Sequence, residues 1–308
     1  MASPSGEQIE IVLGDQRAII VEVGGGLRTY SADGRELLDG YGPDEVCSSG
    51  RGQILAPWPN RIQDGSYEFD GRRYQLALNE PEHRNAIHGL VRSESWRAVQ
   101  REASRVVLEY TLSPRPGYPF LLELRIVYEL APEGLSVRMT ATNTGNDRCP
   151  YGTGAHPYLN VSPATVDTVT LQAPGRTVLH SDERGIPVGA APVEGTEYDF
   201  RKPRAIGSTR LDHAFTDLNR DGDGLARVHL SDPDSDVALT LWTDESYGYL
   251  MLFSGDPLPD VNRRSLAVEP MTCAPNAFRG GQGLIVLEPG QSTTSAWGLS
   301  PSKGQGRN

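Results

Sequence analysis

Short runs of alternating or β-branched apolar residues recur along the whole chain, separated by glycine, proline and aspartate. The clearest runs are IEIVL, RAIIVEV, RVVLEYTL, LLELRIVYEL, LSVRMTATN, VALTLW and TSAWGL. A period of two is typical of half-buried strands, and turn-forming residues between such runs mark their ends. No window of about 12 residues sustains the apolar spacing of three and four that an amphipathic helix needs. We therefore predict an all-β fold and disfavour an alternating strand-helix fold.

Some of these runs are long. LLELRIVYEL has ten residues, whereas a typical strand has about five or six. Long strands favour a large antiparallel β-sandwich, in which a curved sheet offers a groove. No linker divides the interior, so we predict one domain over residues 1–308, with disordered tails at about 1–8 and 300–308.

The charge balance of the chain disfavours nucleic acid as a binding partner. The chain carries 40 acidic and 29 basic residues, a net charge of -11, and such a field repels nucleic acid. We find neither a signal peptide nor an apolar stretch of about 18 residues. We therefore expect a cytoplasmic monomer or homodimer that binds neither nucleic acid nor membrane. The three cysteines, Cys47, Cys149 and Cys273, have no metal or redox spacing, and we interpret them as reduced, mostly buried thiols.

Three short motifs place histidine or glutamate beside glycine or proline. They are NAIHG at 85–89, GTGAHPY at 152–158 and VEPMT at 268–272. Glycine and proline interrupt strands and mark bulges or turns, where active sites often lie. A single histidine of this kind is more often a hydrogen-bonded structural residue. Together, His88, His156 and Glu269 indicate acid/base chemistry.

Six motifs in order carry a resemblance to a known family. They are PNRI at 59–62, NAIHGL at 85–90, HPYLN at 156–160, LDHAF at 211–215, EPMTC at 269–273 and NAF at 276–278. Over nearly its full length the chain resembles the aldose 1-epimerases, the galactose mutarotase family. The resemblance implies a β-supersandwich and interconversion of the α and β anomers of a free aldose such as glucose or galactose. It implies no cofactor and a monosaccharide as the partner.

The resemblance also implies residue roles. Glu269 would be the base that takes the proton of the anomeric hydroxyl, and His156 the acid that protonates the ring oxygen. His88 would orient and polarise the sugar through a hydrogen bond. Arg61, Asp212 and Asn60 would bind sugar hydroxyls. Without the resemblance, Asp212 is equally well a turn residue and Arg61 a surface ion pair.

Three alternatives stay open at this point. Some relatives with this fold act on hexose 6-phosphates, and a basic cluster would then receive the phosphate, which Arg72 and Arg73, Arg92, Arg201 and Lys202, or Arg263 and Arg264 would supply. A lectin-like protein would bind sugar without turnover and would need no acid and base. A two-histidine, one-carboxylate metal site is disfavoured, because the members are widely spaced in the sequence. Tyr158 follows His-Pro where the family typically has phenylalanine, so the preferred sugar is not carried over.

Overall fold

The computed structural model describes residues 3–162 and 164–303, and the regular secondary structure of these residues is almost entirely β-strand. Within that part of the chain there is one α-helix, α1 (Ala277–Gly280), and no helix long and apolar enough to span a bilayer. The prediction of an all-β fold is confirmed. Phe278 of α1 packs edge-on against the rings of Trp58 and Tyr67, at centroid distances of 5.7 and 5.0 Å. These contacts hold α1 in place.

The strands follow one another closely along the chain. The first third contains β1 (Gln8–Leu13), β2 (Gln16–Val21), β3 (Leu27–Ala32), β4 (Arg35–Glu36), β5 (Ile54–Leu55), β6 (Arg61–Gln63), β7 (Ser66–Phe69), β8 (Arg72–Gln75), β9 (Asn85–Ile87) and β10 (Arg97–Glu102). The middle contains β11 (Arg105–Leu112), β12 (Leu122–Ala131), β13 (Gly134–Asn143), β14 (Cys149–Tyr151), β15 (Gly154–Ala155), β16 (Tyr158–Leu159), β17 (Thr170–Gln172), β18 (Thr177–Ser181) and β19 (Pro187–Pro192). The remainder contains β20 (Arg204–Ala205), β21 (Asp212–Thr216), β22 (Ala226–Ser231), β23 (Val237–Thr243), β24 (Tyr249–Phe253), β25 (Leu266–Met271), β26 (Ile285–Leu287) and β27 (Ser292–Lys303).

Two large antiparallel sheets contain most of the strand residues. One has nine strands in the order β10-β11-β12-β13-β27-β23-β22-β17-β20. The other has eight strands, in the order β19-β18-β21-β24-β25-β15-β5 with β16 also pairing with β25. A four-stranded sheet β1-β2-β3-β4 and the ribbons β14-β26, β6-β9 and β7-β8 complete the described structure. The long run predicted as a strand is β12, which pairs with β13 over its whole length.

A shared apolar core joins the two large sheets into a sandwich. Leu252 and Val268 of the eight-stranded sheet belong to the same buried cluster as Leu239 and Leu241 of the nine-stranded sheet. Each such side chain contributes about 1.5–3 kcal/mol when fully buried. Because successive side chains on a strand point to opposite faces, the other side chains of the eight-stranded sheet point away from this core.

That second face of the eight-stranded sheet is where a site can form. Glu269 follows Val268 on β25 and therefore points away from the core. Met251 of β24 lies directly opposite Glu269 in the register, and Ala214 of β21 lies opposite Met251. Asp212, two residues before Ala214, is on the same face.

The ends of the described chain are tied to the body of the protein. β27 runs through to Lys303 and pairs with β13 and β23, so strand structure includes residues 300–303, which the sequence pattern assigns to a tail. Near the other end, Ser5 is buried and its carbonyl accepts the N–H of Val23. Residues 304–308 lie outside the described residues. All three cysteines are free, with Cys149 and Cys273 buried, as predicted.

Candidate active site

The histidines and the glutamate of the three motifs converge in space. One side-chain atom from each of His88, His156 and Glu269 lies within 4.8 Å of the others. The Nε2 atom of His156 is 3.4 Å from Oε1 of Glu269, and the two imidazole rings meet edge-on with centroids 5.3 Å apart. Exposure of the three residues is only 9%, 5% and 2%. Residues separated widely in the sequence thus form one buried acid/base cluster.

The sheet fixes the relative positions of His156 and Glu269. β15 and β16 both pair with β25, Gly154 opposite Met271 and Tyr158 opposite Ala267. His156 lies between the two short strands and therefore falls beside Glu269. Because both residues are held by backbone hydrogen bonds of one sheet, their separation is set before any ligand binds.

His88 is held by a reciprocal backbone arrangement with Asn60. Both residues have left-handed backbones, with φ of 61° and 53°. The N–H of His88 donates to the Asn60 carbonyl at 2.8 Å, and the N–H of Asn60 donates to Nδ1 of His88 at 3.2 Å. Because Nδ1 accepts a hydrogen bond, the proton of the neutral imidazole lies on Nε2. His88 therefore offers an N–H donor to a ligand.

Two histidines and a carboxylate are also a ligand set for zinc or iron, but this cluster does not fit such an ion. Nδ1 of His88 is already occupied and its Nε2 carries the proton, so neither nitrogen has a free lone pair. A metal-bound histidine almost always donates its other N–H to an acceptor, whereas the buried Nδ1 of His156 has no hydrogen-bond partner within residues 3–162 and 164–303. The arrangement is better matched to an uncharged polar ligand.

Burial controls the protonation of the cluster. Burial, with the nearby Asp212 carboxylate adding to it, raises the pKa of Glu269 well above 4.5. Burial also lowers the pKa of His88 well below 6.5, with His156 and Arg92 contributing. For His156, burial and the charge of Arg92 lower the pKa to about 3. The uncharged forms of all three side chains are therefore favoured in the empty site.

Arg61 enters the site from the β6-β9 ribbon and is clamped by Glu80. Its Nε donates to Glu80 Oε2 at 2.9 Å, and its Nη2 donates to Glu80 Oε1 at 2.8 Å. Asn85 donates its Nδ2 to the same carboxylate at 2.8 Å. Burial opposes the charge of Arg61, but the ion pair with Glu80 outweighs it and the pKa of Arg61 is raised. The Nη1 group keeps no hydrogen bond within the described ranges and lies against the backbone of Gly185.

Asp212 lies at the exposed side of the cluster. Its carboxylate makes no hydrogen bond or ion pair with another described residue, and its neighbours Arg61 and Glu269 are close enough to influence it electrostatically. Although the residue is exposed, the protein packed around the carboxyl raises its pKa, with Arg61 opposing the rise. A free carboxylate in this position can accept hydrogen bonds from ligand hydroxyls.

The site residues predicted from the sequence are therefore gathered in one place. The sequence motif assigns Asn60 to substrate binding, which stays a prediction; in the structure the Asn60 backbone holds His88 and its Oδ1 accepts the N–H of Arg61 at 2.9 Å. The sequence did not reveal Glu80 or Asn85 as partners of Arg61. Only the position of Asn85 inside the NAIHG motif could have drawn attention to it.

Of the aromatic residues near the motifs, Tyr158 and Trp58 are buried and Trp242 is half-buried. Tyr158 is 1% exposed and its ring stacks on that of His156, with centroids 4.9 Å apart. Trp58 is buried against Phe278, and Trp242 covers Gly298 on the nine-stranded sheet. His213 lies on β21 next to Asp212 and points to the opposite face, as expected from its place in a strand.

Comparison with known proteins finds related sequences and similar folds. The family model described as aldose 1-epimerase matches residues 8–300. The protein YihR of Escherichia coli K12, named as uncharacterized, is 36% identical over 288 residues, which cover 93% of this chain and 91% of the relative. Human galactose mutarotase is 36% identical over 168 residues, 51% of this chain and 46% of that protein. The crystal structure of a GalM/aldose epimerase homologue from C. elegans superimposes with a TM-score of 0.87 at 18% identity, covering 97% of this chain and 99% of that one.

The family match spans almost the whole chain and the antiparallel β-sandwich is shared with these structures. This chain belongs to the aldose 1-epimerase family.

Proposed function

We propose that the protein interconverts the α and β anomers of a free aldose through the open-chain aldehyde. The observation that carries this proposal is the buried pair formed by His156 and Glu269, 3.4 Å apart. Mutarotation needs a base at the anomeric hydroxyl and an acid at the ring oxygen. A carboxylate and an imidazole fixed side by side on one sheet supply both.

Ring opening then consists of two proton transfers. The Glu269 carboxylate takes the proton of the C1 hydroxyl, the C1–O5 bond breaks as C1 becomes a carbonyl, and the His156 imidazolium gives its proton to O5. After rotation about C1–C2, the neutral imidazole takes the proton back from the C5 hydroxyl, O5 forms its bond to the other face of C1, and the carboxylic acid returns its proton to the former carbonyl oxygen. No group outside the pair is consumed.

Ring opening starts from the charged pair, which burial disfavours, and ends with the uncharged pair, which burial favours. Burial raises the pKa of Glu269 and lowers that of His156, so a carboxylate at this position is a strong base and an imidazolium a strong acid. The transfers to and from the sugar leave both side chains uncharged while the sugar is open. Burial therefore favours protonated Glu269 and neutral His156, and these are the forms that accompany the open-chain aldehyde.

The remaining site residues would hold the sugar. The free carboxylate of Asp212 would accept from hydroxyls, and Nη1 of Arg61, on a guanidinium fixed by Glu80, would donate. The Nε2–H of His88 would donate to the ring oxygen or an adjacent hydroxyl. Substrate positioning of this kind lowers the barrier by keeping the reacting atoms aligned.

The position of Arg92 favours a second candidate substrate, a hexose that carries a phosphate. Its guanidinium is half-buried and has no acidic partner within ion-pair distance among residues 3–162 and 164–303. Its side chain instead donates to Gln53 Oε1 at 3.4 Å. Its charge reaches both catalytic histidines, since it lowers the pKa of His88 and of His156. An unpaired cation so close to the site could receive an anionic substituent.

Polarimetry tests both candidates. We expect the parent protein, in chelator-treated buffer, to accelerate mutarotation of α-glucose or α-galactose, and Glu269→Gln to lose the acceleration by about 10²-fold or more while still binding sugar in a calorimeter. The variant Glu123→Gln, an exposed glutamate on β12, is the matched control. Equal rates for the parent and Glu269→Gln would refute the acid/base proposal. Acceleration confined to glucose 6-phosphate, and lost in Arg92→Gln, would favour the phosphosugar.

A further inference from the structure

We propose that Asp260 is a positioning residue for His156, acting through the turn at residues 48–51, hereafter the 48–51 turn. The inference rests on the proposed function, in which His156 is the acid. Asp260 does not touch the cluster itself. It lies on the segment between β24 and β25 and holds a turn that packs on the imidazole ring.

Asp260 binds three residues of the 48–51 turn. Its Oδ2 accepts from the Ser48 hydroxyl at 2.8 Å and from the Ser49 hydroxyl at 3.1 Å. The same oxygen accepts from Nη1 of Arg51 at 3.0 Å, and the Asp260 carbonyl accepts from Nη2 at 3.1 Å. One carboxylate therefore joins two segments that are 209 residues apart at the Arg51 contact.

The 48–51 turn confines the side chain of His156. The Tyr158 hydroxyl donates to the Ser49 carbonyl at 2.9 Å, which fixes the ring that stacks on His156. Gly50 has φ of +72°, and a Cβ added there would lie 3.0 Å from Cδ2 of His156. The imidazole thus has the Tyr158 ring and the Gly50 backbone as neighbours, and both belong to the network anchored by Asp260.

The ion pair between Asp260 and Arg51 is not an ordinary surface ion pair, because Arg51 is buried. The Arg51 side chain is 4% exposed, whereas Asp260 is 43% exposed. The other carboxylate near Arg51, that of Asp39, has its closest approach at 3.9 Å and is bonded to Arg264 and Ser265. Removing the charge of Asp260 leaves a buried cation poorly compensated, which is strongly destabilising. We therefore expect the 48–51 turn, which carries Arg51 and Gly50, to shift when that charge is removed.

The experiment compares Asp260→Asn with Asp256→Asn. Asp256 lies in the same segment, but it binds Arg263 and Ser254 and makes no contact with the 48–51 turn. For Asp260→Asn we expect kcat for mutarotation to fall about tenfold or more with KM changed less than twofold, because a displaced acid slows the chemistry without weakening sugar binding. Asp256→Asn should keep the parent kcat. Equal kcat values in all three proteins, or equal losses in both variants, would overturn the proposal.

A second measurement does not depend on turnover. In protein labelled with ¹³C-histidine, the ring resonances of His156, assigned with His156→Gln, should shift in Asp260→Asn, since the stacked Tyr158 ring and the Gly50 backbone move relative to them. In Asp256→Asn those resonances should stay at the parent positions. Unchanged His156 resonances in Asp260→Asn would refute the positioning role even if the parent proved inactive on every sugar. Inactivity of the parent with the expected shifts would instead refute the proposed function alone.

Discussion

The backbone N–H of Asn60 donates a 3.2 Å hydrogen bond to Nδ1 of His88. The bond assigns the proton of the neutral ring to Nε2, so His88 can donate to an oxygen but cannot coordinate a metal without breaking it. Both residues have left-handed backbones in this contact, a conformation that asparagine and histidine adopt more readily than most side chains. The backbone of Asn60 thus favours one tautomer of His88.

Metal independence follows from that tautomer. We expect exhaustive dialysis against a chelator to leave the mutarotation rate unchanged. We also expect added Co²⁺ to give none of the visible absorption bands of a tetrahedral complex, because only His156 and Glu269 remain as possible ligands. Loss of activity on dialysis with recovery on adding one particular metal would show that the Asn60 bond is broken in solution.

Replacing Glu269 by glutamine should stabilise the protein, and increasingly so at higher pH. The pKa of Glu269 is raised in the folded state, so above about pH 4.5 the folded protein keeps a proton that the unfolded chain releases. The parent therefore loses stability as pH rises through the folded pKa, while Glu269→Gln does not. We expect the Tm advantage of the variant to be larger at pH 8 than at pH 5 by about 2 °C or more. Calorimetric scans at the two pH values measure it, and an advantage that is the same at both would contradict the raised pKa.

The Glu80 clamp on Arg61 should affect sugar binding more than chemistry. Glu80→Gln removes the charged partner of a guanidinium that is only 14% exposed, so Arg61 loses its fixed orientation. We expect KM to rise about tenfold with kcat changed less than threefold. Initial polarimetric rates over a range of sugar concentrations separate the two constants. A fall in kcat with constant KM would instead place Arg61 in the proton transfers.

Gly50 and Gly71 make a matched pair for testing how closely the 48–51 turn covers His156. Their φ angles are +72° and +70°, but a Cβ at Gly71 meets no atom within 4 Å, while one at Gly50 meets His156. Each change to alanine should cost about 1 kcal/mol of stability through backbone strain. Only Gly50→Ala should also lower kcat, by about tenfold or more. Equal kcat values in the two variants would show that the ring is not confined by the turn.

The fold and the three central residues could be predicted because their signals are local. Alternation within runs such as LLELRIVYEL depends only on neighbouring residues, and the glycine and proline beside His88, His156 and Glu269 mark unusual backbone. The clamps could not be predicted in this way. Glu80 meets Arg61 and Asp260 meets Arg51 only after loops have been placed by distant strand pairing, and neither acidic residue differs in its local sequence from an ordinary surface carboxylate.

Asn60 shows a second way in which prediction from the sequence is limited. The motif directed attention to its side chain, whereas the contact that matters for His88 uses its backbone. A main-chain donor carries no residue-specific signal in the sequence. Binding of sugar by the Asn60 amide stays a prediction.

His156, between β15 and β16, and Glu269, on β25, belong to one sheet, while Arg61 and its partner Glu80 come from a small ribbon and a loop. The pair proposed for catalysis and the groups proposed for recognition therefore belong to separate structural elements. Changes in the loop at residues 76–84, between β8 and β9, can alter which sugar is accepted while leaving the proton-transfer pair and His88 in place. An engineer who wants a new substrate should vary that loop and keep β15, β16 and β25 intact.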